Sequence, residues 1–356
     1  MRHVALLLAA LVVVSPAGAA SKRRSVGRHV PEPPYGVFVN VTALTDATDV
    51  SRAFNLAAAD GVKSIRVPFV WSLIQSQSAQ FADLRFYDQV VADAAGENLQ
   101  ITAVLGYATQ WNTTAPASET RPQQREHYPP ADYDAWSRFV SFLVNRYKDR
   151  VHTWEIWNQP DVGAPPDETQ PCDGFWCGSP RAYADLLNVS YDAIKAADPN
   201  ATVVFGSLAV PRDNPNFLYN VLTANEALPR FDNISFYAFG SKTDILGKFN
   251  SIKTGLVYGG AGLRTMWASF GYPSDPAAQT IAPYSGGEDG QAAYMTDTAA
   301  FLLSLGMKRL FWFHLVDSDA SSFTADSSTS YGLLTSTFAT KKAYTTYGTL
   351  VTSFKP

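Results

Sequence analysis

Short apolar runs recur along the chain, separated by longer stretches with helical periodicity. The runs 35–39, 63–69, 100–106, 151–157, 202–207, 233–239, 263–269 and 308–315 are rich in β-branched and aromatic residues and predict eight buried strands. Between them, Trp136, Phe139, Val140, Leu143, Val144 and Tyr147 fall at i, i+3, i+4, i+7, i+8 and i+11, one apolar stripe of a helix. Ser179-Pro180 opens a helix that runs to about Ala197, with Ser as cap and Pro at the first helical position. Gly96 and Gly306 close the helices before strands three and eight, and a last helix lies near 338–352.

Strictly alternating strand and helix is the rhythm of a parallel sheet, and eight strands are what a closed barrel needs. The expected architecture is a single (β/α)8 TIM barrel over 35–356 of the 356 residues. Segments 107–130, 158–178 and 271–290 each follow a strand, and 107–130 is polar and Pro-rich. Loops in that position build the functional face of such a barrel.

Composition narrows the function. With 46% hydrophobic and 17% charged residues the chain can bury a sizeable core. A net charge of −4 gives no electrostatic case for nucleic acid or a membrane surface. Eight Trp and seventeen Tyr suit either core packing or stacking on sugar rings. At the N-terminus, Arg2 and His3 precede an apolar run from Val4 to Val14 and an A-x-A-type site at Ala17-Gly18-Ala19. Residues 1–19 therefore read as a signal peptide and 20–34 as a linker, which implies a secreted, extracellular protein. The run is too short to span a bilayer, and Lys22-Arg23-Arg24 follow closely. In that compartment Cys172 and Cys177 predict a small disulfide; without a neighbouring His or a further Cys they make a poor metal site. Asn40, Asn112, Asn188, Asn200 and Asn233 begin glycosylation sequons, of which Asn233, beside a predicted buried strand, is expected to stay unmodified.

Trp154-Glu155-Ile156-Trp157-Asn158-Gln159-Pro160-Asp161 resembles the WEIWNEP signature of clan A glycoside hydrolases, most of all family 39, with family 5 next. In that signature the Glu after Asn is the general acid/base at the end of strand four. Here that position is Gln159. Leu263 to Pro273, reading LRTMWASFGYP, resembles the family's seventh strand, whose Glu is the nucleophile. Here that position is Ser269. Retaining glycosidases work with two carboxyl groups about 5–5.5 Å apart. A Gln cannot deliver a proton at neutral pH, and a Ser without a base is a poor nucleophile. The sixth strand's usual His-x-Tyr reads Tyr237-Ala238-Phe239, and strand eight, usually similar to fWYelrD, reads Phe311 to Asp317 as FWFHLVD.

The resemblance implies a sugar site built from Arg66, Asn158 and Tyr237, with Trp312 as the stacking floor and Trp71, Trp111, Trp157 and Trp267 as further candidates. Arg66 reads equally well as half of a structural ion pair beneath the cleft. Glu155 reads as a structural or orienting carboxylate, and Glu288 with Asp289 as helix-capping residues. The expectation is a catalytically silent glycosidase homologue that binds carbohydrate and needs neither cofactor nor metal. Two alternatives stay open: an active hydrolase using other groups, of which Ser269-His314-Asp317 is the nameable set, and a structural matrix protein with a vestigial cleft. The pattern sets neither the sugar nor the oligomeric state.

Overall fold

The computed structural model describes residues 34–41, 47–80, 82–163, 172–278, 280–317 and 330–354. The expected signal peptide, and all of the linker except Pro34, lie outside the described residues. Eight parallel strands close a barrel in chain order: β1 (Tyr35–Phe38), β2 (Ser64–Val70), β3 (Gln100–Gly106), β4 (Thr153–Asn158), β5 (Thr202–Leu208), β6 (Asn233–Tyr237), β7 (Thr265–Phe270) and β8 (Arg309–Trp312). The ring closes where Tyr35, Gly36 and Val37 of β1 pair with Leu310, Phe311 and Trp312 of β8. The chain is thus a single (β/α)8 barrel. Strands six and eight are shorter than their apolar runs, because Phe239 and Phe313 leave the sheet and turn over the mouth of the barrel.

Ten helices surround the strands among the described residues: α1 (Ala47–Ala59), α2 (Trp71–Ile74), α3 (Arg85–Gly96), α4 (Pro122–Glu126), α5 (Tyr133–Tyr147), α6 (Pro180–Ala197), α7 (Phe217–Leu222), α8 (Lys242–Tyr258), α9 (Gly287–Ser304) and α10 (Lys342–Ser353). Local chemistry sets their ends. Asp132 caps α5 by accepting the amides of Asp134 and Ala135, and Ser179 caps α6 by accepting that of Ala182. The predicted stripe of α5 is its buried face. α3 does end at Gly96, but the left-handed residue that follows is Asn98, at φ 55, a residue whose short polar side chain tolerates that conformation. α10 begins at Lys342, four residues later than expected, since Phe338 sits in a turn.

Inside the barrel the side chains alternate along each strand. Val204, Trp267 and Phe311 fill the floor, with the Arg309 guanidinium 5.1 Å from the Trp267 ring. Hydroxyls and charges occupy the layer above. Ser207 and Ser235 share a 2.6 Å hydrogen bond, and Arg66 and Glu155 are buried beside them. Between barrel and helices lies the main apolar core, which includes Trp71, Trp136, Trp154, Trp157, Trp176 and Trp312.

Cys172 and Cys177 form the expected disulfide, with an S–S length of 2.07 Å. The Asn112 sequon is a different matter. Its buried amide donates to the Asp132 carbonyl at 3.1 Å while its oxygen accepts the Asp132 amide at 2.7 Å, so the folded chain does not offer this nitrogen for glycosylation. Asn200, just after α6, is exposed.

Asp60, between α1 and β2, packs against Gly348 of α10 so closely that a Cβ there would lie 2.2 Å from its Oδ1. Its Oδ2 is buried without a hydrogen-bond partner. Burial, opposed by a hydrogen bond from the Gly348 backbone, pushes its pKa up to about 7. The native state therefore holds this proton between the ordinary carboxylate pKa and about 7, while the unfolded state has lost it, so stability falls as pH rises through that window. Asp60→Asn should flatten this slope, as read from urea midpoints at pH 5 and pH 8; an unchanged slope would place the effect elsewhere.

Candidate functional site

The end of β4 carries an irregularity that aims its side chains. Ile156 pairs with Phe205 and Asn158 with Ser207, while Trp157 between them adopts φ 68, and Gln159 follows at φ 48. For non-glycine residues the left-handed region is costly and concentrates at functional sites. Its local effect is to bury Trp157, whose indole N–H donates to the Phe175 carbonyl at 2.5 Å, and to leave Asn158 and Gln159 half-exposed at the mouth.

Beneath them lies a continuous polar network. Arg66 donates from Nε to Glu155 Oε2 at 2.8 Å and from Nη2 to Oε1 at 2.9 Å, a bidentate pair with both partners almost fully buried. Glu155 Oε1 also accepts the Ser207 amide at 2.7 Å. The remaining Arg66 donors reach the Tyr237 hydroxyl at 3.2 Å and Asn158 Oδ1 at 3.0 Å, and the Tyr237 hydroxyl donates to the same Asn158 oxygen at 2.9 Å. Tyr107, at the end of β3, shares a further hydrogen bond with Asn158. Burial works against the Arg66 charge, but Glu155 and Tyr237 outweigh it and hold the guanidinium protonated. Burial pushes the Tyr237 phenol above the usual tyrosine range. Arg66 is therefore one half of a buried ion pair that also orients Asn158.

Three of the expected sugar-site residues come together here: Arg66, Asn158 and Tyr237. Four of the five candidate tryptophans do not, Trp157 with its buried indole among them. Trp312 is fully buried on the outer face of β8, edge-on to Phe270 at 5.1 Å, with its indole N–H donating to the Tyr331 carbonyl. Strand alternation is the reason: if Phe311 points into the barrel, its neighbour must point out. The inward residue at the mouth is Phe313, which stacks on Phe38 at 5.3 Å and meets Phe239 edge-on at 5.7 Å. Trp267 points inward but sits on the floor, two residues below Ser269. Trp71 opens α2 and packs on Phe139, Trp136 and Trp111, with its N–H on Gln75 Oε1 at 2.6 Å. Only Trp111 of the candidate tryptophans is partly exposed.

Ser269, on β7, is fully buried and its hydroxyl has no hydrogen-bond partner. Two residues on, just past the end of β7, the chain is crowded: a Cβ at Gly271 would meet the Phe313 carbonyl, the Tyr331 ring and the Phe239 ring within 3.1 Å. A Ser-His-Asp triad is not assembled. Asp317 spends its carboxylate on Lys341 Nζ at 2.6 Å and on the Gly332 amide at 2.7 Å, and Ser269 has no base to accept its proton.

Other residues escaped the sequence reading. Asp161 is buried and accepts the amides of Ala209 and Val210 at 2.9 and 2.6 Å; burial nevertheless raises its pKa to about 6. It fixes the loop after β5. His127, from the long 107–130 segment, rests on Tyr107 at 4.6 Å and pairs Nδ1 with the Gly174 carbonyl at 2.8 Å. Gln124 reaches the same carbonyl at 3.0 Å, and Cys177 donates its amide to the His127 carbonyl, so the disulfide loop and the 107–130 segment form one wall. Glu126, half-buried beside Ser72 and Gln110, is also held above the usual carboxylate range by burial.

No family model and no curated protein matches the chain. Solved structures do. A family 39 glycoside hydrolase from Bacteroides cellulosilyticus WH2 superposes over 91% of this chain at a TM-score of 0.66 and 19% identity. The chain spans 64% of that protein's length. A monomeric beta-xylosidase from Caulobacter crescentus CB15 gives 0.67 over 92% of this chain and 70% of its own, at 16% identity. A family 5 enzyme from Streptomyces cattleya, in complex with Manb1-4GlcNAc, gives 0.67 over 91% and 82%, also at 16% identity. The chain has the fold of the clan A glycoside hydrolases of families 39 and 5.

Three substitutions test this arrangement. Arg66→Met strands a buried carboxylate and should cost roughly 3–5 kcal/mol, whereas the double variant Arg66→Met/Glu155→Leu should recover much of that loss. Urea unfolding of the parent, Arg66→Met, Glu155→Leu and the double variant measures it, and additive losses would refute the coupling. Trp312→Ala should cost about 3–5 kcal/mol as a buried large-to-small change. A Trp312→Ala midpoint equal to that of the parent would show that the ring is not in the core.

Proposed function

We propose that this protein is a secreted glycoside hydrolase homologue that no longer hydrolyses glycosides and keeps a carbohydrate-binding surface at the barrel mouth. One observation carries the reading: the network of Arg66, Glu155, Asn158 and Tyr237 is intact, while the acid/base position is Gln159 and the nucleophile position is the sealed Ser269. Loss of a positioned acid/base alone typically costs about 10²–10⁴ in rate, and loss of the nucleophile removes the covalent route. The buried carboxylates nearby are committed elsewhere, Glu155 to Arg66 and Asp161 to two backbone amides. The sugar's partners in this reading are Asn158, its neighbour Gln159, and the half-exposed rings of Phe313, Phe239, Tyr331 and Tyr107. Secretion rests on the segment 1–19 and is consistent with the Cys172–Cys177 bridge.

A second reading has its own support. Burial of Trp71, Trp267 and Trp312, together with the rings that crowd Gly271, favours an extracellular structural protein with a vestigial cleft. One experiment separates the three possibilities: aryl β-glycoside hydrolysis and a glycan array run on the same purified protein. The expected result is no turnover, with binding to at least one glycan that Phe313→Ala weakens by about 1–3 kcal/mol, a tenfold to hundredfold loss, in a protein still folded by circular dichroism. Absence of any glycan binding would install the structural reading. Turnover abolished by Glu126→Gln would make the protein an active hydrolase with a displaced acid.

A further inference from the structure

We infer that the outer wall of the barrel carries a second ligand site, between α1 and the turn before α10, built for the carboxylate of a uronic acid. A groove of about 500 Å³ lies there, lined by Thr48, Ser51, Arg52, Asn55, Leu56 and Phe338. Small-molecule sites usually measure roughly 300–1,000 Å³, so a monosaccharide or disaccharide fits. The five α1 residues fall at i, i+3, i+4, i+7 and i+8, a single helix face whose members stand side by side.

Phe338 is the unusual member. It adopts φ 65, a conformation costly for a bulky side chain. A tight turn imposes it: the Phe338 amide donates to the Thr335 carbonyl at 2.8 Å, the Thr335 amide to the Ala339 carbonyl at 2.8 Å, and the Ala339 amide to Thr335 Oγ1 at 3.0 Å. The product of that geometry is a ring beneath the Arg52 guanidinium, 4.7 Å from its carbon. Among the described residues no carboxylate pairs with Arg52; Asp93, which touches the lining through Ser51 at 2.7 Å, also accepts from Gln89 at 2.6 Å. A guanidinium with one face on an aromatic ring keeps its N–H edges free, and those edges match a carboxylate bidentately.

The rest of the lining selects the body of the ligand. Thr48 and Asn55, both exposed, offer a hydroxyl and an amide to ring hydroxyls, while Leu56 and the edge of Phe338 offer apolar surface to the C–H face of a pyranose. A phosphate, with two charges, would call for a second cation or a backbone amide cradle, and the lining supplies one cation. A uronic acid has the single charge, the hydroxyls and the apolar face. This site is separate from the barrel mouth and stands or falls without the reading given for it.

The test is titration of the full chain with sodium D-glucuronate by calorimetry, beside D-glucose and benzoate. Glucuronate should bind, with D-glucose and benzoate each at least tenfold weaker. Arg52→Gln should lower glucuronate affinity at least tenfold, and Arg52→Lys, which keeps charge but loses the fork, should fall between. Arg52 is exposed, so both variants should keep the parent's circular dichroism spectrum. No glucuronate binding at millimolar concentration, or full affinity in Arg52→Gln, overturns the site. Benzoate binding as tightly as glucuronate overturns its assignment to a sugar acid.

Discussion

A charge pair inside a β-barrel is the constraint on which the upper half of this molecule depends. Removing a guanidinium and a carboxylate from water costs several kcal/mol for each ion, and the pair persists only if its geometry and remaining hydrogen bonds compensate. Arg66 and Glu155 meet that demand with two mutual bonds and with Ser207, Tyr237 and Asn158 around them. Each added partner is thereby fixed in turn. The Asn158 oxygen, shared by Arg66 and Tyr237, can face only one way, which points its amide nitrogen towards Tyr107 and the mouth. The stability of the interior and the orientation of the surface are one problem here, solved by the same side chains.

This coupling gives a physical reason why the chain can hold Gln159 and Ser269 and still form the site around them. Neither residue is a member of the network that fixes Asn158. In the register of the sheet Ser269 lies beside Tyr237 and Phe311, and the rings of Phe239 and Tyr331 crowd Gly271 two residues on. The Tyr237 hydroxyl already donates to Asn158 and the Phe311 ring has no donor to offer, so the polar and the aromatic halves of the mouth follow different rules. The β4 side is organised by hydrogen bonds, the β8 side by packing.

The sequence was legible where its signal was long or redundant. Eight apolar runs located eight strands, and the motifs around residues 159 and 269 placed both positions at the ends of β4 and β7. What it hid was phase. A strand has a two-residue repeat, so a single step decides whether Trp312 or Phe313 faces the mouth, and in the run FWF every position is apolar enough for either side. Trp71 misled for a related reason: the first residue beyond a strand takes its direction from α2, whose four residues leave no periodic trace. Asp161 and His127 went unread because their partners are backbone groups, contributed by segments remote in sequence. Asp60 was invisible for the same reason, since only the fold brings Gly348 against it.

The closure of the ring has a consequence for synthesis. β1 is synthesised before the other seven strands of the barrel, yet one of its two edges pairs with β8, the last of them. The hydroxyl of Tyr347 in α10 reaches the Gly36 carbonyl, and that of Tyr344 the Leu56 carbonyl, so β1 and α1 also wait for α10. Throughout elongation the nascent polypeptide therefore presents an unpaired apolar edge, the kind of surface that recruits foreign strands. The pairing that closes the ring can form only once β8 has been made, so the edge of β1 stays open for as long as synthesis of the barrel lasts.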